Sequence, residues 1–287
     1  MNSNLQVGYR AIWFSRMRIC FIFVLAFGAT PCVHARQPQI DELTNNVVEE
    51  LIKTHEKAVV VFDFVGPDKK STALGQKIAD DFRNALTKST AAFNVIDPAQ
   101  ITQALETNRV SPQILREPEL ELWLGKKLGT GIAILGELER DGENLNILVD
   151  TYQADGRPID EFKIIVPLTD QMKSLLHTQA NNTTDQTAVI PAVGGNGNSF
   201  PACVYCPSAK PSSQAAKSHL QGSVLLQIVV GPDGQAYDIR VVKMQPNGLT
   251  EMAIEAVQTW KFKPALGPDG KPAAVRRMVE MNFHQNK

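Results

Sequence analysis

Cys203 and Cys206, in Pro201-Ala202-Cys203-Val204-Tyr205-Cys206-Pro207, are the first residues whose type and spacing could do chemistry. A redox-active pair wants its first sulfur at a helix N-terminus, where the thiol pKa falls and a thiolate forms. No strand-helix-strand pattern surrounds this pair to supply one. Zinc needs two further ligands, and only His219 and His284 lie nearby in sequence. A structural disulfide between Cys203 and Cys206 is therefore expected, with a thiol oxidoreductase as the enzymatic alternative and a metal site as the third reading. A second stretch, Gly66-Pro67-Asp68-Lys69-Lys70-Ser71, lies between a strand pattern and a helix pattern, where a phosphate-binding loop would sit. Such a loop needs a second glycine and four residues before its lysine, so that the backbone wraps the phosphates. Lys70 comes too soon and the second glycine is missing, so a solvated turn is expected, with Ser71 or Thr72 capping the next helix. Asp63 ends an apolar run; a raised pKa is conceivable there, and a solvated or hydrogen-bonded strand end is the plainer expectation. The 5 histidines are scattered, and no Ser-His-Asp set or carboxylate pair has hydrolytic spacing. No enzyme, metal or cofactor is expected.

The elements that must carry these residues follow from composition and pattern. The chain has 287 residues, 43% hydrophobic and 21% charged, enough for globular cores and long enough to favour two domains. Its 29 basic and 30 acidic side chains leave a net charge of -1, which offers no general attraction for nucleic acid. That near-neutral total hides an asymmetry: residues 36–170 carry 15 basic and 23 acidic side chains, residues 200–287 carry 10 and 6. An acidic domain is joined to a basic one. At the N-terminus Arg10, Arg16 and Arg18 precede the apolar run 19–29, and Val33-His34-Ala35 supplies the small residues a signal peptidase reads. Residues 1–35 are expected to be a cleaved signal peptide. The alternative is an uncleaved inner-membrane anchor with its arginines in the cytoplasm, and only that reading brings the chain to a membrane. Cleavage removes Cys20 and Cys32 and leaves Cys203 and Cys206 as an even pair in an oxidising compartment.

Residues 36–176 read as alternating helix and strand. A helical stripe runs through Ile40, Leu43, Val47, Val48 and Leu51 over 39–56, and the run 58–64 is too continuous for a strand buried on one face only. Leu74, Ile78, Phe82 and Leu86 make the next stripe. A short strand at 93–96, helices near 99–105 and 117–128, and strands at 132–138, 145–152 and 162–166 complete the region, with Asp141-Gly142 and Asp155-Gly156 as turns. Residues 177–200 are polar and Gly-rich and read as a flexible linker. The run 58–64 together with 73–80, Phe93-Asn94-Val95-Ile96-Asp97 and Leu124-Gly125-Lys126-Lys127-Leu128-Gly129 resembles the N-terminal α/β domain of the TolB and CsgG/FlgO-like envelope proteins, over roughly 40–167. That resemblance implies assembly in the bacterial envelope and no enzymatic activity.

The basic stretch 201–287 has the clearest pattern. Val224, Leu226, Ile228 and Val230 share one face of a strand, Gly231-Pro232-Asp233-Gly234 turns the chain, and 236–243 returns as a hairpin. Leu249, Met252, Ala253, Ala256, Val257 and Trp260 form a helical stripe, and an earlier helix is expected near 212–220. After a second Gly-Pro-Asp-Gly turn at 267–270, the strand 274–283 puts Val275, Val279, Met281 and Phe283 on one face. Trp260 and Phe262 are expected to pack under the sheet rather than to form a ligand platform.

Gly222-x-Val224, Asp233-Gly234, the 253–257 helix, Trp260-x-Phe262-x-Pro264-Ala265, Asp269-Gly270-Lys271-Pro272 and Phe283 resemble, in that order, the C-terminal domain of the TonB family of energy transducers. The resemblance implies a periplasmic domain that pairs with a short segment of an outer-membrane transporter, which adds a strand to its small sheet. In this chain it points to Ala274, Val275, Arg276, Arg277, Met278, Val279, Glu280, Met281 and Asn282 as the docking edge. Arg276 and Arg277 lie on opposite faces; at least one meets an acidic peptide or the acidic domain, or both merely protect the edge. A transducer needs an uncleaved inner-membrane helix, whereas this N-terminus has a signal-like layout. The expectation is thus an α+β protein: an N-terminal α/β domain with a mixed sheet (36–176), the linker, and a TonB-like domain with a three-stranded antiparallel sheet and two helices (201–287). Its expected role is a non-enzymatic periplasmic adaptor for a protein partner of the bacterial envelope, with no nucleic acid bound; the alternative is a membrane-anchored energy transducer.

Overall fold

The computed structural model describes residues 37–89, 93–178, 199–209 and 221–283. The expected leader, nearly all of the expected linker, and the helix expected at 212–220 lie outside the described residues. In chain order the first elements are α1 (Gln37–Ile52), β1 (Ala58–Val61), α2 (Ala73–Ser89), β2 (Asn94–Val95), α3 (Pro98–Thr107), a 3-10 turn (Pro112–Ile114) and α4 (Pro118–Lys127). There follow β3 (Ile132–Asp141), β4 (Asn144–Gln153), β5 (Pro158–Pro167), α5 (Asp170–His177), β6 (Ala202–Tyr205), β7 (Gly222–Val230) and β8 (Ala236–Lys243). The last are α6 (Leu249–Thr259), β9 (Lys261–Lys263), β10 (Ala265–Leu266), β11 (Pro272–Ala273) and β12 (Val275–Phe283). The fold is α+β, and its contacts separate two units: Met1–Ile96 with Gly129–Ala180, and Asp97–Leu128 with Asn181–Lys287.

The first unit is built on a five-stranded mixed sheet in the order β2-β1-β3-β4-β5. β1 pairs in parallel with β2 and β3, and β3-β4-β5 is an antiparallel meander. β1 is buried on both faces because it lies inside the sheet, the position its unbroken apolar run demands. The stripes of α1 and α2 (Leu43, Val47, Leu51; Leu74, Ile78, Phe82, Leu86) share one core with Val59, Val61, Ile134, Ile147 and Val149. α1 stops at Ile52, short of the expected 56, where His55 takes a φ of 62°. At the start of α2 it is Thr72 that caps, its Oγ1 accepting from the Gly75 N–H at 3.1 Å.

The strand expected over 58–64 leaves regular pairing after Val61. Phe62 N–H still donates to Ile134 O at 3.0 Å and Val65 N–H to Gly136 O at 3.0 Å, so only Asp63 and Phe64 step out of the ladder. The cause is the charge at Asp63. A carboxylate cannot stay in a strand buried on both faces, and here it turns to the Arg83 guanidinium, 3.0 Å away. Asp63 is thus a hydrogen-bonded strand end.

The meander carries one strained carboxylate. Asp150 on β4 faces Glu161 across the strand pair and lies near Glu137. Burial first, then the charges of Glu161 and Glu137, push its pKa up to about 6, against a weak pull from Lys69. The folded state therefore keeps a proton that the unfolded chain has already released, so stability falls as pH rises through the carboxylate range to about 6 and stays reduced above it. Asp150→Asn is expected to stabilise the protein by about 3 kcal/mol at pH 8, a value that follows from ~1.4 kcal/mol per pKa unit over the rise from 3.8 to about 6. The gain should vanish near pH 4. Urea unfolding at both pH values checks it; an equal gain at the two would trace the effect to packing instead of ionisation.

The second unit contains the three-stranded antiparallel sheet, order β12-β7-β8. Val224, Leu226, Ile228 and Val230 are buried, as are Val275, Val279, Met281 and Phe283 opposite them. The β7-β8 turn closes through Gly231 N–H to Gln235 O (2.9 Å) and Gly234 N–H to Gly231 O (2.9 Å). In α6 the buried stripe is Leu249, Thr250, Ala253, Ile254 and Val257; Met252 and Ala256, expected in it, are only half-buried. The helix is rotated because the Thr250 hydroxyl is drawn inward to bond Gln245 N–H and O, both at 2.9 Å. Two small ribbons not expected from pattern, β6-β9 and β10-β11, complete the unit. Both rest on strands of two to four residues, too short to show alternation. Asp97-Pro98, read as the close of a strand, also opens α3: Asp97 Oδ1 accepts from Ala99 N–H at 2.7 Å and Gln100 reaches back to Asp97 N–H at 3.1 Å.

Candidate functional site

A three-stranded sheet has two edges, and in the second unit they differ. The β8 edge is bridged at Ile239 by the chain itself. Ser111 N–H donates to Ile239 O and Ile239 N–H donates to Arg109 O, each at 3.0 Å, and Val110 pairs with Ile239 in parallel. Ser111 is extended (φ -68°, ψ 143°), the conformation the following proline imposes. Around this bridge, Gln258 Nε2 donates to Asn108 O at 2.7 Å and the Arg109 guanidinium lies over the Tyr237 ring at 5.2 Å. α4 is clamped to α6: Lys127 Nζ sits 2.8 Å from Glu255 Oε1, and Trp123 Nε1 donates to the same oxygen at 3.3 Å. Burial pushes the Glu255 carboxyl up, but those two donors outweigh it and hold it below its usual range. Glu251, one turn earlier, is raised by burial and then by Glu119 and Glu255.

The segment 97–128 lies within the acidic region of the sequence, yet it folds with the C-terminal sheet. A single β-branched residue between Arg109 and Ser111-Pro112 carries no periodicity, so the extended bias before Pro112 is the one signal of this bridge in the sequence. Ser111→Pro is compatible with the observed φ and deletes the N–H that bonds Ile239. It is expected to cost about 1 kcal/mol from the lost hydrogen bond, and to raise amide exchange at Ile239 at least threefold in hydrogen-exchange mass spectrometry. Unchanged exchange there would mean the bridge does not protect β8.

The other edge is β12. It pairs with β7 along its full length, from Val275 opposite Val230 to Phe283 opposite Gly222, and among the described residues no strand lies on its far side. Of the nine residues expected to form the docking edge, Val275, Arg276, Arg277, Met278, Val279, Glu280, Met281 and Asn282 lie in this strand. Ala274 does not: it precedes the first β12 residue, at the corner where the β10-β11 ribbon hands over to the sheet. The two arginines take opposite faces. Arg276 Nη1 donates to Gln227 Oε1 at 2.9 Å and lies 3.6 Å from Asp238, which also binds Arg240 at 2.9 Å. Arg277 Nη1 donates to Pro201 O.

Cys203 and Cys206 have their Cα atoms 6.1 Å apart, with the sulfurs at bonding distance. Cys203 sits on β6, an exposed strand paired with β9, and not at a helix N-terminus. Trp260 and Phe262 are buried side by side, ring centroids 6.0 Å apart, with Trp260 Nε1 donating to Pro207 O at 2.9 Å. These aromatics are core. Among the described residues no His, Cys, Asp and Glu cluster could hold a metal, and no helix is long and apolar enough to cross a membrane.

The geometry defines a class: a two-unit α+β protein whose C-terminal sheet has one edge bridged at a single residue by its own chain and the other lined by a full-length strand. Residues 212–284 match the family model for the Gram-negative bacterial TonB protein C-terminal, so that region is similar to TonB C-terminal domains, as its ordered motifs imply. Solved structures also match the chain. The LpoB C-terminal domain from Salmonella enterica is 14% identical, covers 45% of this chain and 95% of its own, and has a TM-score of 0.38. The Pseudomonas aeruginosa TonB CTD is 16% identical, with 35% and 100% coverage and a TM-score of 0.26. Lipoprotein GNA1162 from Neisseria meningitidis is 10% identical, with 40% and 82% coverage and a TM-score of 0.32. Comparison with curated proteins returned no match.

Proposed function

We propose that this chain is a non-enzymatic adaptor of the bacterial envelope, acting in the periplasm, whose C-terminal unit takes an extended segment of a partner protein as an added strand along β12. One observation carries the reading: among the described residues β12 pairs with β7 on one side only, while the rival edge is bridged at Ile239 by residues 109–111. A nine-residue strand with a free edge presents a row of unpaired N–H and C=O groups, which a partner backbone satisfies without needing a particular side-chain sequence. The TonB-type match over 212–284 supports the same surface and suggests an outer-membrane transporter segment as occupant. A Cys203–Cys206 disulfide would stiffen the approach to β9 in an oxidising compartment, and its removal would leave binding intact. The test is a pulldown of the full chain with N-terminal peptides of outer-membrane transporters, followed by hydrogen exchange. Binding with protection of residues 275–283 is the expected result. Absence of binding at millimolar peptide would overturn the proposal.

A further inference from the structure

The N-terminal half of β12 borders a groove of about 360 Å³ lined by Phe200, Pro201, Gln227, Val275, Arg276, Arg277 and Met278. Its apolar walls are unusually open to solvent: Phe200 is 62% exposed and Met278 46%. Large apolar side chains left this exposed beside an unpaired strand edge mark a binding surface better than a folding core. The two faces of the strand differ in charge. On the face of Arg276 and Met278 the positive charge is already met, since Arg276 shares Asp238 with Arg240 and Glu280 lies two residues along the same face. On the other face Arg277 bonds only a neutral carbonyl, that of Pro201, and among the described residues no carboxylate comes within ion-pair distance of it. A guanidinium fixed by one neutral acceptor keeps its remaining donors in a fork that suits a carboxylate.

Resting on the strand-addition reading above, we propose that this groove selects the partner's side chains: it takes an extended segment with an apolar residue directly followed or preceded by an acidic one. Successive side chains of an added strand point to opposite faces. The apolar side chain then lies against Met278 and Phe200, and its acidic neighbour reaches Arg277. A partner with a basic residue beside the apolar one would face Arg277 and be disfavoured by like charge. The adaptor would thus discriminate among envelope segments that share only an ability to form a strand.

The probes are three capped octapeptides measured by fluorescence anisotropy against the full chain: Thr-Val-Thr-Phe-Asp-Val-Thr-Val, the same peptide with Lys for Asp, and the same with Ala for Phe. The Phe-Asp peptide is expected to bind at least tenfold more tightly than the other two. Arg277→Glu is expected to reverse the order, weakening the Phe-Asp peptide at least tenfold and strengthening the Phe-Lys peptide. That swap separates the proposal from mere misfolding, because a damaged domain would lose both. Phe200→Ala should abolish the difference between the Phe and Ala peptides. Equal binding of all three peptides, with protection of residues 275–283, would overturn the selectivity and leave strand addition standing; no binding by any of them would overturn both.

Discussion

Gly234→Ala is expected to destabilise the C-terminal unit by about 3 kcal/mol, several times the cost of the same change at Gly248. Both glycines have left-handed backbone, with φ of +75° and +80°, so both substitutions carry the ~1 kcal/mol or more that an L side chain meets there. They differ in what the new Cβ would touch. At Gly248 nothing lies within 4 Å; at Gly234 the Cβ would fall 2.1 Å from the Phe262 carbonyl oxygen. That oxygen cannot move aside cheaply, because Phe262 N–H donates to Gly234 O at 2.8 Å and Phe262 is itself held in β9 against β6. The clash adds overpacking of ~1–3 kcal/mol to the backbone strain. Urea unfolding followed by fluorescence of the buried Trp123 and Trp260 of this unit measures both variants. Equal losses at the two positions would show that the turn yields freely and does not tie the hairpin to β9.

Arg83→Leu is expected to cost the first unit about 2–4 kcal/mol, the range for a buried charged donor removed from its partners. Arg83 is 7% exposed on α2, with Nε and Nη2 donating to the Val61 carbonyl at 3.1 and 2.8 Å. Nη2 also meets Asp63 at 3.0 Å, and Nη1 meets Asp80 at 2.6 Å. The leucine would leave Val61 O unbonded where the chain steps out of the ladder. Asp80 is open to solvent and contributes little to the loss. Arg83→Lys should recover less than half, because one ammonium cannot reproduce a fork that serves a carbonyl and a carboxylate together. Thermal melts of the three proteins decide it; a loss below ~1 kcal/mol for leucine would mean water serves Val61 O as well as the guanidinium does.

The parts of the fold legible in the residues are those where one physical requirement acts alone. The stripes of α1 and α2 and the inward alternation of β7 and β12 each follow from burying one face, and all are observed as expected. The Asp233-Gly234 turn was legible because few residues other than glycine tolerate that φ. Where two requirements compete, the pattern misleads. Thr250 turns inward in α6 because its hydroxyl finds both backbone groups of Gln245, a contact that periodicity ranks below an apolar residue. Ala274 falls outside β12 because the β10-β11 ribbon claims Ala273, two residues before the strand begins.

By itself, the order of residues determined the α+β class, the mixed and antiparallel sheets, and the strand that would form the candidate edge, since all three depend on local periodicity and turn chemistry. Tertiary structure alone decided which edge, among the described residues, has no neighbour. The bridge to β8 comes from residues 109–111, more than 120 positions earlier in the chain than Ile239, and a hydrogen bond between backbone groups leaves no trace in side-chain pattern. The same holds for Arg276 and Arg277: identical in type and adjacent in sequence, they differ because folding brings Asp238 to one and only a carbonyl to the other.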